Sequence, residues 1–228
     1  MAYELYRGPS QLDGSTEVVC LLTTNSVNRK TGPVVQSWIM RTDMPPSEAV
    51  KTGADAAICG DCKLRGSACY VLPWQAPTNA WRAWSKQPRP VPRYLLHEQD
   101  LRIGAYGDPA AIPFEVWEAA ARHTRNATGF THQWRRCDPR FQQLLMASCD
   151  TLADAQEAQA MGWRTFRITL QPEKLPGEMI CPNHTKGLTC QQCKSCDGHR
   201  SGRRANVTAP VHGVKYKIDA FKVIVENR

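Results

Sequence analysis

The sequence predicts an α/β protein whose central part is an open, partial parallel βα barrel. From residue 101 onward, β-prone segments alternate with amphipathic helical segments, and this alternation is typical of right-handed βαβ units with a parallel sheet. Four or five units fit into this region, too few for a closed eight-stranded barrel. With 42% hydrophobic residues, the chain can bury an ordinary core. We expect three segments: 1–52, 53–180 and 181–228.

The first segment, 1–52, predicts a β-hairpin followed by a short helix. The runs "EVVCLLTT" and "VVQSWIM" are β-prone, and "NSVNRKTGP" between them is rich in turn-forming residues. The stretch "PPSEAVKTG" contains a proline pair and a serine, and a helix there would end at Gly53.

The second segment, 53–180, predicts a cysteine loop and then the βα units. A helix is expected in "TNAWRAWSKQ". The expected strands are "LRIGAYG", "GFTHQW", "LMASC", "WRTFRITL" and "GEMICP", and the expected helices are "IPFEVWEAAARHTR", "DPRFQQL" and "TLADAQEAQAMG". Thr151 would cap the last helix and Gly162 would end it. Ligands of parallel sheets bind beyond the carboxyl ends of the strands, so we expect "GAYGDP" and Cys181 to lie at that edge.

The third segment, 181–228, combines clustered cysteines with a basic tail. Its last part, "VHGVKYKIDAFKVIV", alternates as an edge strand or hairpin would. From residue 186 to 228 there are nine lysines and arginines against three acids, a net +6 within a chain of net charge +8. This tail predicts contact with nucleic acid or another polyanion. A solvated basic surface that keeps the protein soluble explains the charge equally well.

Four cysteines of the third segment form what we call the four-cysteine group: Cys181, Cys190, Cys193 and Cys196. The C-x2-C-x2-C spacing lets one tight loop direct three thiolates at a single centre, and the fourth comes from upstream. Sulfur-rich sites bind zinc or iron–sulfur clusters. Zinc usually takes two C-x2-C pairs separated by a longer loop, whereas three cysteines at x2 spacing are typical of ferredoxin-type clusters. The spacing therefore favours an iron–sulfur cluster, with zinc as the alternative.

Three further cysteines form the three-cysteine group: Cys59, Cys62 and Cys69. Their C-x2-C-x6-C spacing supplies three sulfurs, and no fourth cysteine follows closely. A distant cysteine or histidine can complete the site, the four-cysteine group can share its ligands, or one coordination position is open to a substrate.

Six other residues are further candidates for ligands or reactive groups. The candidate histidines are His123, His132 and His184, for which a surface or core role is the simpler interpretation. The isolated cysteines are Cys20, Cys137 and Cys149, which we expect to be small buried apolar residues.

The three-cysteine group and the later stretch "YGDPAAIP" resemble the radical S-adenosylmethionine enzymes. In that family three cysteines hold a [4Fe-4S] cluster whose fourth iron binds the methionine part of the cofactor. A glycine–acid–proline stretch after the next strand contacts the cofactor's amino group. The resemblance implies the same partial barrel, a cluster on the three-cysteine group, and Gly107 and Asp108 near S-adenosylmethionine. The family's usual spacing is C-x3-C-x2-C, and a glutamate usually stands where this chain has Asp108.

A second resemblance covers most of the chain. The motifs "NRKTGPVVQSWIM", "ICGDCKLRGSACYV", "GAYGDPAAIP" and "CPNHTKGLTCQQCKSCDG" are similar to those of cysteine-rich proteins encoded by bacteriophages. This resemblance implies a viral iron–sulfur protein in the cytoplasm of a bacterial host, without indicating a reaction. The first nineteen residues lack the features of a signal peptide, and no apolar run is long enough to span a membrane. Both observations predict a soluble intracellular protein.

Overall fold

The fold is built around one nine-stranded sheet. A computed structural model describes residues 1–24, 26–202 and 205–227. Its strands are β1 (Ala2–Pro9), β2 (Glu17–Thr23), β3 (Val35–Arg41), β4 (Asp100–Tyr106), β5 (Asn126–Thr131), β6 (Met146–Cys149), β7 (Thr165–Thr169), β8 (Glu178–Ile180) and β9 (Asn206–Pro210). In the described residues they lie in the order β1-β2-β3-β4-β5-β6-β7-β9-β8. The pairs β1–β2 and β2–β3 are antiparallel, and every later pair is parallel.

The sheet is open, because β1 and β8 are its two ends in the described part of the chain. The expectation of a mixed α/β protein with an open, mostly parallel sheet is therefore confirmed. Strands from all three predicted segments join this sheet. The predicted hairpin is formed by β2 and β3. The sequence analysis did not anticipate β1, which adds an outer antiparallel strand to β2.

The helices connect the strands as the alternation predicted. They are α1 (Pro46–Thr52), α2 (Ala56–Cys59), α3 (Ala76–Lys86), α4 (Phe114–Arg122), α5 (Leu152–Ala160), α6 (Pro182–Lys186), α7 (Cys190–Cys193) and α8 (Lys215–Glu226), with 3-10 helices at Pro109–Ala111 and Pro139–Gln143. Helix α1 ends at Gly53, whose φ of +75° suits a residue without a Cβ. Helix α5 begins after Thr151, whose side chain accepts a hydrogen bond from the Asp154 amide.

The end of the chain differs from the sequence expectation. The stretch predicted as an edge strand or hairpin is helix α8. Lys217 and Phe221 lie one helical turn apart and are only 7% and 2% exposed, so a four-residue period of burial overrides the two-residue alternation of the sequence. The strand that does form, β9, lies between β7 and β8 and follows a polar, glycine-containing stretch without an apolar pattern.

The core fixes the strands that carry the sites. Leu21, Ile39 and Ile103 of neighbouring strands are at most 1% exposed, as is Trp117 of α4. Burying each such side chain contributes roughly 1.5–3 kcal/mol. Two of the isolated cysteines, Cys20 and Cys149, are fully buried, and Cys137 is partly buried against the same core. Among the described residues, no helix combines the length and the apolar character needed to cross a bilayer.

Candidate metal centres

The three-cysteine group lies at the carboxyl edge of the parallel strands. It belongs to the connection between β3 and β4, and two hydrogen bonds fix it to the strand ends. The Asp108 amide, just after β4, donates to the Ile58 carbonyl (2.6 Å). The Gln133 side chain, just after β5, donates to the Cys59 carbonyl (3.0 Å). The stretch "GAYGDP" lies at the carboxyl end of β4, which pairs in parallel with β3 and β5, as the sequence predicted. The cysteine loop covers the same edge of the sheet.

The three thiols lie close enough together to affect one another's ionisation. Burial raises the pKa of the Cys59 thiol well above its ordinary value, and the Cys69 and Cys62 thiols raise it further. The pKa of Cys69 is also raised, mainly by burial. Neighbouring thiols that resist ionisation are stabilised as thiolates by a bound cation. This arrangement is therefore suited to a metal centre.

His132 lies between Cys62 of this group and Asp150, which follows β6. Its Nε2 is 3.4 Å from Asp150 Oδ1, and the nearby Cys62 thiol acts electrostatically on its ring. Burial lowers the pKa of His132, but Cys62 and Asp150 outweigh burial and raise the pKa well above its usual range. The three side chains line a small cavity of about 50 Å³. Of the three candidate histidines, only His132 is largely buried; His123 and His184 are exposed, although the His184 amide donates to the Cys181 carbonyl (2.9 Å).

Tyr106, the last residue of β4, points a hydroxyl into the same region. It is 5% exposed, and among the described residues its hydroxyl has no hydrogen-bond partner. Burial raises its pKa, and the nearby Cys59 thiol adds to the rise. A buried hydroxyl without a partner is costly, so its position suits a bound water or ligand that supplies the acceptor.

Asp108 and Gly107 hold this edge together. The buried Asp108 carboxylate accepts hydrogen bonds from the Ala110 amide (3.0 Å), the Thr131 hydroxyl (2.7 Å) and the His132 amide (2.8 Å). These contacts join the ends of β4 and β5 and set the position of the His132 backbone. Gly107 has a φ of +76°, and a Cβ there would lie 2.7 Å from the carbonyl oxygen of Ile39.

The four-cysteine group is assembled by backbone contacts with several parts of the sheet. The Cys181 amide, just after β8, donates to the Thr208 carbonyl of β9 (2.7 Å), and the Cys190 amide donates to the Lys30 carbonyl (2.9 Å). The Cys196 carbonyl accepts from the Gly129 amide of β5 (3.0 Å). Helix α7, which begins at Cys190, has a reciprocal cap between Thr189 and Gln192.

The four thiols are near enough to one another for three of them to affect the pKa of the fourth, Cys196. Burial raises the pKa of Cys196 well above its ordinary value, and the other three thiols raise it further. The positive charge of Arg102 acts in the opposite direction on both Cys190 and Cys196. Lys30 also interacts with Cys181 and Cys190. Two cations beside these thiols would offset the negative charge that the thiols gain when they bind a metal.

Arg102 connects the two cysteine groups. Its Nη2 donates to the Tyr70 hydroxyl (2.6 Å), and Tyr70 directly follows Cys69 in the chain. Arg102 also lies 5.6 Å from the centre of the Phe130 ring. The two groups are more than 100 residues apart in sequence. The Arg102 side chain nevertheless forms a hydrogen bond with the loop of the three-cysteine group and acts to lower the pKa of thiols in the four-cysteine group.

Tyr106, Asp150 and Arg102 were not among the site residues predicted from the sequence. Tyr106 and Asp150 stand at the carboxyl ends of predicted strands, so the strand pattern could have identified them. Arg102 lies inside a strand, where nothing in the sequence indicated a role. All ten cysteines are free thiols. In the described residues, no three His, Cys, Asp or Glu side chains are arranged around the position of a single metal ion. No family model, curated protein or solved structure matches this chain.

Proposed function

We propose that the protein binds two iron–sulfur clusters of the [4Fe-4S] type, one on each cysteine group. The observation that supports this most directly is the proximity of the cysteines within each group, which adds to burial in raising the pKa of Cys59 in one group and of Cys196 in the other. Isolated structural cysteines, such as Cys20 in the core, lack such neighbours. A cluster requires thiolates, and its iron ions stabilise the thiolate form.

The four-cysteine group supplies the complete ligand set of a closed centre. Four thiolates from one compact segment satisfy every iron of a cubane. Arg102 and Lys30 offset the negative charge that such a centre carries in a half-buried place. The same four thiolates can also hold zinc, which is the alternative that the test below separates.

The three-cysteine group supplies a centre with one position open to another ligand. The first parallel strand, β3, leads into the cysteine loop, and the next strand, β4, ends at Tyr106, directly before Gly107 and Asp108. This is the order in the radical S-adenosylmethionine enzymes that the sequence resembles. We therefore propose S-adenosylmethionine as the ligand of the open position. A reduced cluster would supply it with single electrons.

An open groove next to the cysteine loop offers room for a substrate. Its volume is about 770 Å³, and Gly60 and Asp61 of the loop form part of its wall. Arg136 and Phe114 are among its other lining residues. The mixture of charged and apolar walls suits an amphipathic molecule larger than a metabolite of a few atoms.

In this proposal Asp108 fixes the carboxyl ends of β4 and β5 beside the three-cysteine group. Its carboxylate already accepts three hydrogen bonds, so its main effect is on the position of the cysteine loop and of His132. The direct contact of Gly107 and Asp108 with the cofactor's amino group stays a prediction of the family resemblance.

Nucleic-acid binding by the basic tail stays a prediction that no contact specifically favours. Lys217 donates to the Val71 carbonyl (2.7 Å), and Arg200 donates to the Ala121 and Thr124 carbonyls. Two cations of the tail are thus used inside the fold. Three others, Arg203, Arg204 and Arg228, lie outside the described residues. Bacteriophage origin and a location in the host cytoplasm likewise stay predictions.

The test is the iron content of anaerobically purified variants. We expect Cys59→Ser and Cys196→Ser each to lose about half of the iron, because each removes a ligand of one centre, while Cys20→Ala keeps all of it. Adding S-adenosylmethionine to the reduced protein should change the EPR spectrum of wild type and of Cys196→Ser, but not of Cys59→Ser. Colourless protein with stoichiometric zinc in every variant would overturn the proposal.

A further inference from the structure

Two side chains with hydrogen-bond donors lie next to the three-cysteine group, and neither is one of its three cysteines. One is the Tyr106 hydroxyl, which is buried and has no partner among the described residues. The other is the His132 ring, which lies between Cys62 and Asp150. Each stands at the end of a different parallel strand, β4 or β5, at the edge covered by the cysteine loop.

The backbone places the Tyr106 hydroxyl close to the loop. Two residues after Tyr106, the Asp108 amide binds the carbonyl of Ile58, the residue before Cys59. The ionisable groups that affect the pKa of the Tyr106 hydroxyl are Cys59, Asp55, Cys69 and Arg65, so two thiols of the group are among its neighbours. A native fold rarely leaves such a group unsatisfied, and an electron-rich sulfur is an acceptor that the centre would bring.

The His132 ring is held from two directions. Its backbone amide donates to Asp108 (2.8 Å), and its Nε2 faces Asp150 Oδ1 at 3.4 Å. Asp150 has a side chain that is 4% exposed, so it is a fixed orienting group. Cys62 lines the same small cavity as the His132 ring, so a sulfur of this centre is the acceptor that we assign to the ring.

We propose that Tyr106 and His132 donate hydrogen bonds to the sulfurs of the three-cysteine centre and thereby raise its reduction potential. Hydrogen bonds to cluster sulfurs withdraw negative charge, which stabilises the reduced state. Asp150 is the positioning residue of His132. This inference depends on the proposed iron–sulfur function and adds the residues that adjust one of its two centres.

The experiment is an EPR-monitored redox titration of the anaerobically purified full-length protein. The variants are Tyr106→Phe, His132→Ala, His132→Asn and Asp150→Asn. We expect Tyr106→Phe and His132→Ala to keep their iron and to move one of the two reduction steps to lower potential, leaving the other step in place. His132→Asn, which keeps a donor N–H, should restore part of the shift, and Asp150→Asn should produce a smaller shift in the same direction.

Tyr70→Phe is the matched control. Tyr70 directly follows Cys69, but its hydroxyl accepts a hydrogen bond from Arg102. Because this hydroxyl is already paired within the protein, its removal should leave the reduction potential of the three-cysteine centre unchanged. A second readout uses metal-free protein, in which Tyr106→Phe removes a hydroxyl without a partner. Its Tm should be equal to or higher than that of wild type, whereas the iron-loaded variant should melt below loaded wild type.

The outcomes separate this inference from the function on which it depends. If wild type binds no iron, the proposed function fails. If wild type binds iron and both steps stay in place in Tyr106→Phe and His132→Ala, only the assignment of the two donors is overturned. An equal Tm loss in metal-free and loaded Tyr106→Phe would also overturn it, because the hydroxyl would then have a partner within the protein.

Discussion

The backbone conformation of Gly107 sets the position of Asp108 at the edge that carries the three-cysteine group. Its φ of +76° is accessible to glycine at little cost, and a Cβ would come within 2.7 Å of both Cβ and the carbonyl oxygen of Ile39. The backbone therefore passes close to β3 just before Asp108. This close approach places Asp108 where it binds the cysteine loop and the end of β5.

Replacing Gly107 by alanine should be strongly destabilising. We expect Gly107→Ala to cost roughly 2–5 kcal/mol, since left-handed strain adds to a clash with backbone atoms. The matched control is Gly177→Ala, where φ is +80° but no atom lies within 4 Å of the added Cβ, and strain alone should cost about 1–2 kcal/mol. Urea unfolding of both variants measures the difference. Equal losses would show that Ile39 moves aside freely.

At the scale of elements, β8 is the short strand that delivers Cys181 to the four-cysteine group. It contains three residues, and a buried ion pair anchors it to β7. Glu178 receives two hydrogen bonds from Arg167 (2.9 and 2.7 Å), and the two side chains are 1% and 5% exposed. Burial alone would raise the pKa of Glu178, but Arg167 reverses this effect, and the net pKa is lowered.

Glu178→Gln should loosen this anchor. Removing one partner of a buried ion pair typically costs about 3–5 kcal/mol of stability. We expect the four-cysteine group of this variant to bind less iron and the three-cysteine group to keep its iron. In wild type the ionised Glu178 stabilises the fold above its unfolded pKa of about 4.3, and this contribution is lost as the pH falls through the lower folded pKa. Glu178→Gln should lack that part of the acid transition.

Urea unfolding from pH 7 to pH 2, together with iron analysis, measures both effects. Glu115→Gln is the control, because its pair with Arg140 is exposed on both sides and should change stability little. Retention of full iron and full stability in Glu178→Gln would mean that β9 alone holds β8 in place.

The elements also show which parts of the fold were predictable. Strands β4 to β8 and helices α1 and α3 to α5 carry continuous local patterns, so their positions followed from the sequence. Strand β9 and helix α8 did not, because their states depend on neighbours. β9 is inserted between β7 and β8, and the Nζ of Lys217 in α8 is satisfied by carbonyls of the distant cysteine loop.

For the whole molecule, the sequence identified the seven candidate ligands but not how the two groups relate. Spacing along the chain shows which cysteines can share a loop. It cannot show that β4 carries Arg102 toward one group and Tyr106 toward the other, because the pairing of parallel strands is not local. One open sheet thus supports both cysteine groups, and the proposed centres share a strand.

The central claim is that the protein holds two iron–sulfur clusters. The most direct measurement is the iron, acid-labile sulfide and zinc content per chain of wild-type protein purified and reconstituted without oxygen. We expect about eight irons with matching sulfide, as two cubanes require. About four irons would leave one cysteine group without a cluster, and stoichiometric zinc without sulfide would contradict the account.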